Sequence, residues 1–273
     1  MYRGKITSSR IASLCILAFM IQRSFISSEI YPRCPQMCVC YYDIDGLYMD
    51  CSNAQLRAIP DQIYGNVTFL KLNNNYITHL EPLKSWNLKY LKTLLLSHNQ
   101  ISSIDVLQIL DMPMLQMIDI SYNMLTKFEL AIFENNHHMF SIMVESNLID
   151  EVILNRGPRD LMLLFMENNT IQNIQIAENF QQLVPQLVEV KLYDNPIDCC
   201  QVLPQVTATN ITSLQGECDA PLELAGLQFW EIADLDFGHI SRFMCIEYEA
   251  VNQAFECKVT TWLLYLPIVA ILY

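Results

Sequence analysis

Glycine is scarce in this chain of 273 residues, with only 7 present. Loops that cradle phosphate depend on glycines that let backbone N–H groups approach the anion. Neither a Walker loop nor a dinucleotide fingerprint occurs. A G-x-S-x-G elbow and an H-E-x-x-H helix are missing too, so the chain reads as a non-enzyme with no cofactor. Positive charge is also short: 16 Lys and Arg face 29 Asp and Glu, for a formal net charge of −13. That balance argues against nucleic acid, or an anionic lipid surface, as a partner. No metal set is legible. His137-His138 reads as a solvated loop, and Asp43-x-Asp45-Gly46 lacks the remaining ligands of a calcium loop and reads as a turn. Finally, no cysteine falls between Cys51 and Cys199.

The cysteines that are present stand at 15, 34, 38, 40, 51, 199, 200, 218, 245 and 257. Lys5 and Arg10 precede an uncharged run from Ile11 to Ile21, followed by Ser24, Ser27 and Ser28. A basic start, a short apolar core and small residues read as a signal peptide over 1–28, too short to span a bilayer. Cys15 would leave with it. In an exported chain, two groups of four cysteines bracketing a cysteine-free middle read as disulfide-stapled ends.

The middle is periodic. Six segments share apolar residues at positions 1, 4, 6 and 11 and asparagine at position 9. The asparagines are Asn75, Asn99, Asn123, Asn147, Asn169 and Asn195, at spacings of 24, 24, 24, 22 and 26. Positions 4 and 6 lie two apart, so on a short strand they share one face and point inward, while positions 3, 5 and 7 face outward. Position 9 falls where the chain leaves the strand and turns through the interior. A carboxamide there can both donate to and accept from buried backbone groups. No single repeat can bury its own apolar face, so stability must come from stacked neighbours.

These repeats, with C-P-Q-M-C-V-C at Cys34–Cys40 and Cys218-D-A-P-L-E-L-A-G-L later, resemble the extracellular leucine-rich-repeat family with cysteine-rich caps. The resemblance covers roughly residues 34–245. It implies an α/β fold: a solenoid with a curved parallel sheet on its concave side, an irregular or short-helical convex side, and disulfide caps. The domains follow as a signal peptide over 1–28, an N-terminal cap over 29–60, six repeats over 61–194, a C-terminal cap over 195–250 and a processed tail over 251–273. By the same resemblance the bridges are Cys34–Cys40, Cys38–Cys51, Cys199–Cys218 and Cys200–Cys245. Adjacent Cys199 and Cys200 depart from the family's usual C-x-C, which leaves the last two pairings open.

From Val259 to Tyr273 there is no charge. As helix these residues reach about 22 Å, short of a bilayer core of about 30 Å. The tail resembles a glycosylphosphatidylinositol (GPI) signal, with attachment at Asn252 or Ala250. Cleavage there removes Cys257 and leaves an even number of cysteines. A short transmembrane segment and a plain secreted form stand as alternatives. Sequons at Asn66, Asn168 and Asn210 are candidate glycan sites.

On the outward positions, Leu95, Met117, Met143, Leu163 and Phe165 form an apolar band over four neighbouring strands, rimmed by Glu145 and Glu167, with Lys191 at its margin. Such a patch marks an interaction surface. The resemblance implies a cell-surface or secreted recognition and adhesion protein, bound to the membrane by a lipid anchor, that takes an extracellular protein ligand on this face. A homodimer contact would account for the same band. The alternative is an immune pattern-recognition protein that binds a microbial lipid or glycan.

Overall fold

The computed structural model describes residues 34–60, 63, 66–80, 88–104, 112–209, 214–222 and 224–234. The expected signal peptide, the tail with Asn252 and Cys257, the third sequon at Asn210 and Cys245 lie outside those residues. None of the described helices is long and apolar enough to cross a membrane.

Each repeat contributes a strand of only three to five residues, stable only in company. The strands are β1 (Val39–Asp43), β2 (Gly46–Asp50), β3 (Val67–Lys71), β4 (Thr93–Leu95), β5 (Met117–Asp119), β6 (Lys127–Glu129), β7 (Ser141–Met143), β8 (Glu151–Leu154), β9 (Leu163–Phe165), β10 (Asn173–Ile176), β11 (Glu189–Lys191) and β12 (Leu214–Gln215). Nine of them form one sheet in the order β1-β2-β3-β4-β5-β7-β9-β11-β12. β1 and β2 are an antiparallel hairpin, and every later pair is parallel. The result is a parallel solenoid with its core between this sheet and the returning segments.

The strand phase follows the template. Leu70, Leu94, Ile118, Ile142, Leu164 and Val190 at position 4 are at most 2 % exposed, and their position-6 partners from Leu72 to Leu192 are fully buried. Position 8 is left-handed in all six repeats, with φ between 52° and 57° at Asn74, His98, Tyr122, Ser146, Asn168 and Asp194. This turn aims the next residue, the asparagine, into the core. Asn123 is typical. Its Nδ2 donates to the carbonyls of Leu96, Ile120 and Ser121, each at 3.0 Å. Its Oδ1 accepts the N–H of Ile101 at 2.9 Å. Asn75, Asn99, Asn147, Asn169 and Asn195 repeat the pattern, so each carboxamide ties its own repeat to the one before.

The convex side departs from an irregular return. β6, β8 and β10 form a second parallel sheet of three strands. Phe128, Val152 and Ile174, in register across it, point into the core. Alternating segments such as K-F-E and E-V-I-L favour strands where consecutive repeats carry them. A 3-10 turn (Leu130–Phe133) and a short helix α1 (Phe180–Leu183) plug the same layer with buried Phe133 and Phe180. Gly157 is required here, because a Cβ would stand 2.7 Å from the Leu130 side chain.

Both ends of the described fold carry disulfides. Cys34–Cys40 and Cys38–Cys51 tie the β1–β2 hairpin to the first turn of the solenoid. Asp43 Oδ1 accepts the N–H groups of Asp45 and Gly46, so Asp43-x-Asp45-Gly46 is the hairpin turn. At the other end, Cys199 opens helix α2 (Cys199–Thr209) and is bonded to Cys218. Cys200 is also disulfide-bonded. Gln205 on α2 closes the edge of β10 by accepting the Ile176 N–H at 2.9 Å. Helix α3 (Phe229–Asp234) seats Phe229 against Gly216, where a Cβ would meet the ring at 2.8 Å.

Candidate functional site

The concave face is built from the outward positions of seven parallel strands, and their register lays them out in rows. Position 3 runs Tyr48, Phe69, Thr93, Met117, Ser141, Leu163, Glu189. Position 5 runs Asp50, Lys71, Leu95, Asp119, Met143, Phe165, Lys191. Neighbours within a row are one strand apart, about 5 Å.

This register decides which band members touch. Met143 lies directly opposite Phe165, and Leu163 is two residues along the same strand, so these three form one apolar cluster. Leu95 and Met117 join it only on diagonals, because Asp119 stands between Leu95 and Met143, and Ser141 between Met117 and Leu163. All five apolar side chains are half-buried. The curvature of the inner face crowds side chains together, so small residues sink between larger ones. Ser97, Ser121 and Ser141 are outward by phase yet buried.

Glu145 and Glu167 follow Met143 and Phe165 by two residues and so stand beside them on the same face. Their backbones are neighbours, with Ser146 N donating to Glu167 O at 2.9 Å. Met143, Phe165, Glu145 and Glu167 thus make a two-by-two block, apolar in one row and acidic in the next. Each glutamate has one side-chain oxygen, Oε2, that is shielded from solvent and has no hydrogen-bond partner among the described residues. Glu145 is held above the usual carboxylate range, first by burial and then by the charges of Asp119 and Glu167.

Cations on this face are already engaged. Lys71 pairs with Asp50 at 3.5 Å, and Lys191 with Glu189 at 3.6 Å. Lys191 is not at a distant margin. It is directly opposite Phe165, with Nζ 4.9 Å from the ring centroid. Asp119 accepts from Ser121 N and Oγ at 3.0 and 2.6 Å. Asp119, Glu145 and Glu167 have no salt-bridge partner among the described residues. Toward the N-terminal edge, Tyr41, Tyr48 and Phe69 stack with centroids 5.1 and 4.6 Å apart.

Pattern reading passed over Asp119 and set Lys191 at the margin, although both occupy position 5 and the template alone puts them beside Met143 and Phe165. The two described sequons are exposed at opposite strand margins. Asn66 Nδ2 donates to the Tyr42 hydroxyl at 2.8 Å, and Asn168 Nδ2 to Ser146 Oγ at 3.0 Å. His137 and His138 are exposed. A cleft of about 550 Å³ opens on the convex side instead, among Ser103, Ile104, Glu129, Ala131, Glu134 and Arg156.

A stacked parallel sheet with an asparagine ladder and an open inner face defines a leucine-rich-repeat solenoid. The family model described as Leucine rich repeat matches residues 65–125 and 89–149. Oligodendrocyte-myelin glycoprotein of Homo sapiens is 24% identical over 246 residues, covering 90% of this chain and 50% of that protein. Leucine-rich repeat-containing protein 3 of Homo sapiens is 38% identical over 71 residues, 26% of this chain and 28% of its own length. Tsukushi of Mus musculus is 25% identical over 211 residues, 70% of this chain and 58% of that protein. The chain therefore spans about half the length, or less, of the first two relatives.

Proposed function

We propose that this is an extracellular recognition or adhesion protein that binds a protein ligand on its concave face, through Met143, Leu163 and Phe165 with Glu145 and Glu167, and with Leu95 and Met117 extending the contact. One observation carries the reading. Met143, Leu163 and Phe165 cluster on an open sheet face whose core is already filled from positions 4 and 6, so they contribute little to folding and are free to meet a partner. An open face suits a protein surface better than a lipid tail, which needs an enclosed apolar cavity. The disulfides support an oxidising compartment. The exposed sequons Asn66 and Asn168 support glycosylation, and one relative is by name a glycoprotein. The two disulfide-stapled ends act as caps on the solenoid, and the uncharged tail is a GPI signal with attachment at Asn252.

The test is a screen of the purified protein against cell-surface and secreted proteins, followed by titration of the partner found against wild type and Phe165→Ala. The variant should melt as wild type and bind about 30-fold more weakly, the equivalent of about 2 kcal/mol for a central anchor. A variant that binds its partner unchanged refutes the concave site. Self-association lost with Phe165→Ala would assign the same face to a homodimer.

A further inference from the structure

The block of Met143, Phe165, Glu145 and Glu167 has an aromatic ring and two carboxylates at adjoining positions of one face, and the carboxylates have no salt-bridge partner among the described residues. Lys191 already shows what such a ring attracts: its ammonium sits over Phe165 while Glu189 holds it on the β11 side. On its other side Phe165 is paired with Met143 of β7, and Glu145 follows Met143 by two residues along that chain. The shielded Oε2 atoms of Glu145 and Glu167 are acceptors with nothing to accept from. A buried acceptor left unpaired is costly, more so when charged, and here it is tolerated in two neighbouring strands at once. The described residues include no group of acidic, His or Cys side chains arranged to hold a metal ion.

We infer that this block receives an arginine carried on an extended segment of the partner protein, its guanidinium lying against Phe165 and bridging the carboxylates of Glu145 and Glu167. This rests on the concave face being the ligand surface, and it specifies the ligand's chemistry. A guanidinium fits better than an ammonium for three reasons. It is planar and can stack on the ring. Its five N–H groups form a fork that can serve two carboxylates one strand spacing apart. It is also more weakly hydrated, so less is lost on entering a half-buried site. Apolar residues beside the arginine would cover Met143 and Leu163. The net charge of −13 draws such a segment in.

The experiment pans a library of random peptides displayed on phage against the full, disulfide-intact protein. Recovered peptides are then synthesised with each arginine kept, changed to lysine, or changed to citrulline, which keeps the shape and removes the charge. Binding peptides should carry arginine beside apolar residues. Citrulline should weaken them at least about tenfold, with lysine between. Glu145→Gln and Glu167→Gln should cause a similar loss that citrulline does not deepen, with melting no lower than wild type as the control. Peptides whose binding falls with Phe165→Ala but ignores citrulline and both Gln variants overturn the inference and leave the concave face standing as the ligand surface. Peptides indifferent to Phe165→Ala as well remove both readings. A library that yields no arginine-bearing binder also overturns the inference.

Discussion

Replacing Asn123 by alanine removes four hydrogen bonds, yet the structure argues that most of them cost little. The carbonyl of Leu96 also accepts from Asn99 Nδ2 at 2.9 Å, and that of Ile120 from Asn147 Nδ2 at 3.0 Å. The carbonyl of Ser121 also accepts from the N–H of His98 at 3.1 Å. All three keep a partner because the ladder overlaps from repeat to repeat. The Ile101 N–H is different. Its acceptor is Asn123 Oδ1, and Ile101 is fully buried. The loss should therefore be that of one orphaned buried donor, about 1–3 kcal/mol, rather than the sum of four bonds. Asn123→Asp supplies a sharper comparison. It keeps an acceptor for Ile101 but turns a carboxylate toward three carbonyl oxygens, so it should destabilise more than alanine does. Urea unfolding of the oxidised protein, read from the transition midpoint at constant slope, measures both. If Asn123→Ala lies within about 0.5 kcal/mol of wild type, surface-like behaviour, the ladder is not what the geometry says. If the aspartate variant is the more stable of the two, the three carbonyls do not set the cost that this geometry assigns them.

Three further outcomes are expected. Tyr122 is a bulky residue at φ 53°, half exposed and stacked on His98 at 4.2 Å, so Tyr122→Asn should relieve backbone strain worth about 1–2 kcal/mol and lose about 0.5–1.5 kcal/mol of stacking; a destabilisation of more than about 0.5 kcal/mol by urea unfolding would contradict this. Glu145 is raised in the folded chain, by burial first and then by Asp119 and Glu167, so the folded state holds its proton more tightly than the unfolded one. Its contribution to stability therefore falls as pH rises through the raised carboxylate range. The stability–pH profile of wild type should show this slope and that of Glu145→Gln should not; identical profiles would refute it. The GPI reading expects phosphatidylinositol-specific phospholipase C to release the protein from cells, and a retained mature protein that still contains Trp262 would defeat it.

The core was legible because one physical constraint repeats. A strand two residues deep must place positions 4 and 6 inward, and Leu70, Leu94, Ile118, Ile142, Leu164 and Val190 announce that phase without any coordinates. The asparagine ladder was legible for a similar reason: a polar residue recurring inside an apolar frame needs buried backbone to satisfy. The convex side was less readable. K-F-E, E-V-I-L and N-I-Q-I are too short to declare themselves strands singly, and they pair only because stacking brings three of them into register.

The sequence by itself determined which residues fill the core, where each turn falls and which side chains face outward, since these depend on periods of two and of about twenty-four that local chain geometry imposes. It did not determine what those outward side chains meet. Only the tertiary structure set the Lys191 ammonium over Phe165 and sank Ser97, Ser121 and Ser141 beneath their neighbours. It alone also shielded Oε2 of Glu145 and of Glu167 from solvent. These are contacts between residues some twenty positions apart, made by curvature and lateral pairing, and a pattern read along one repeat carries no term for either.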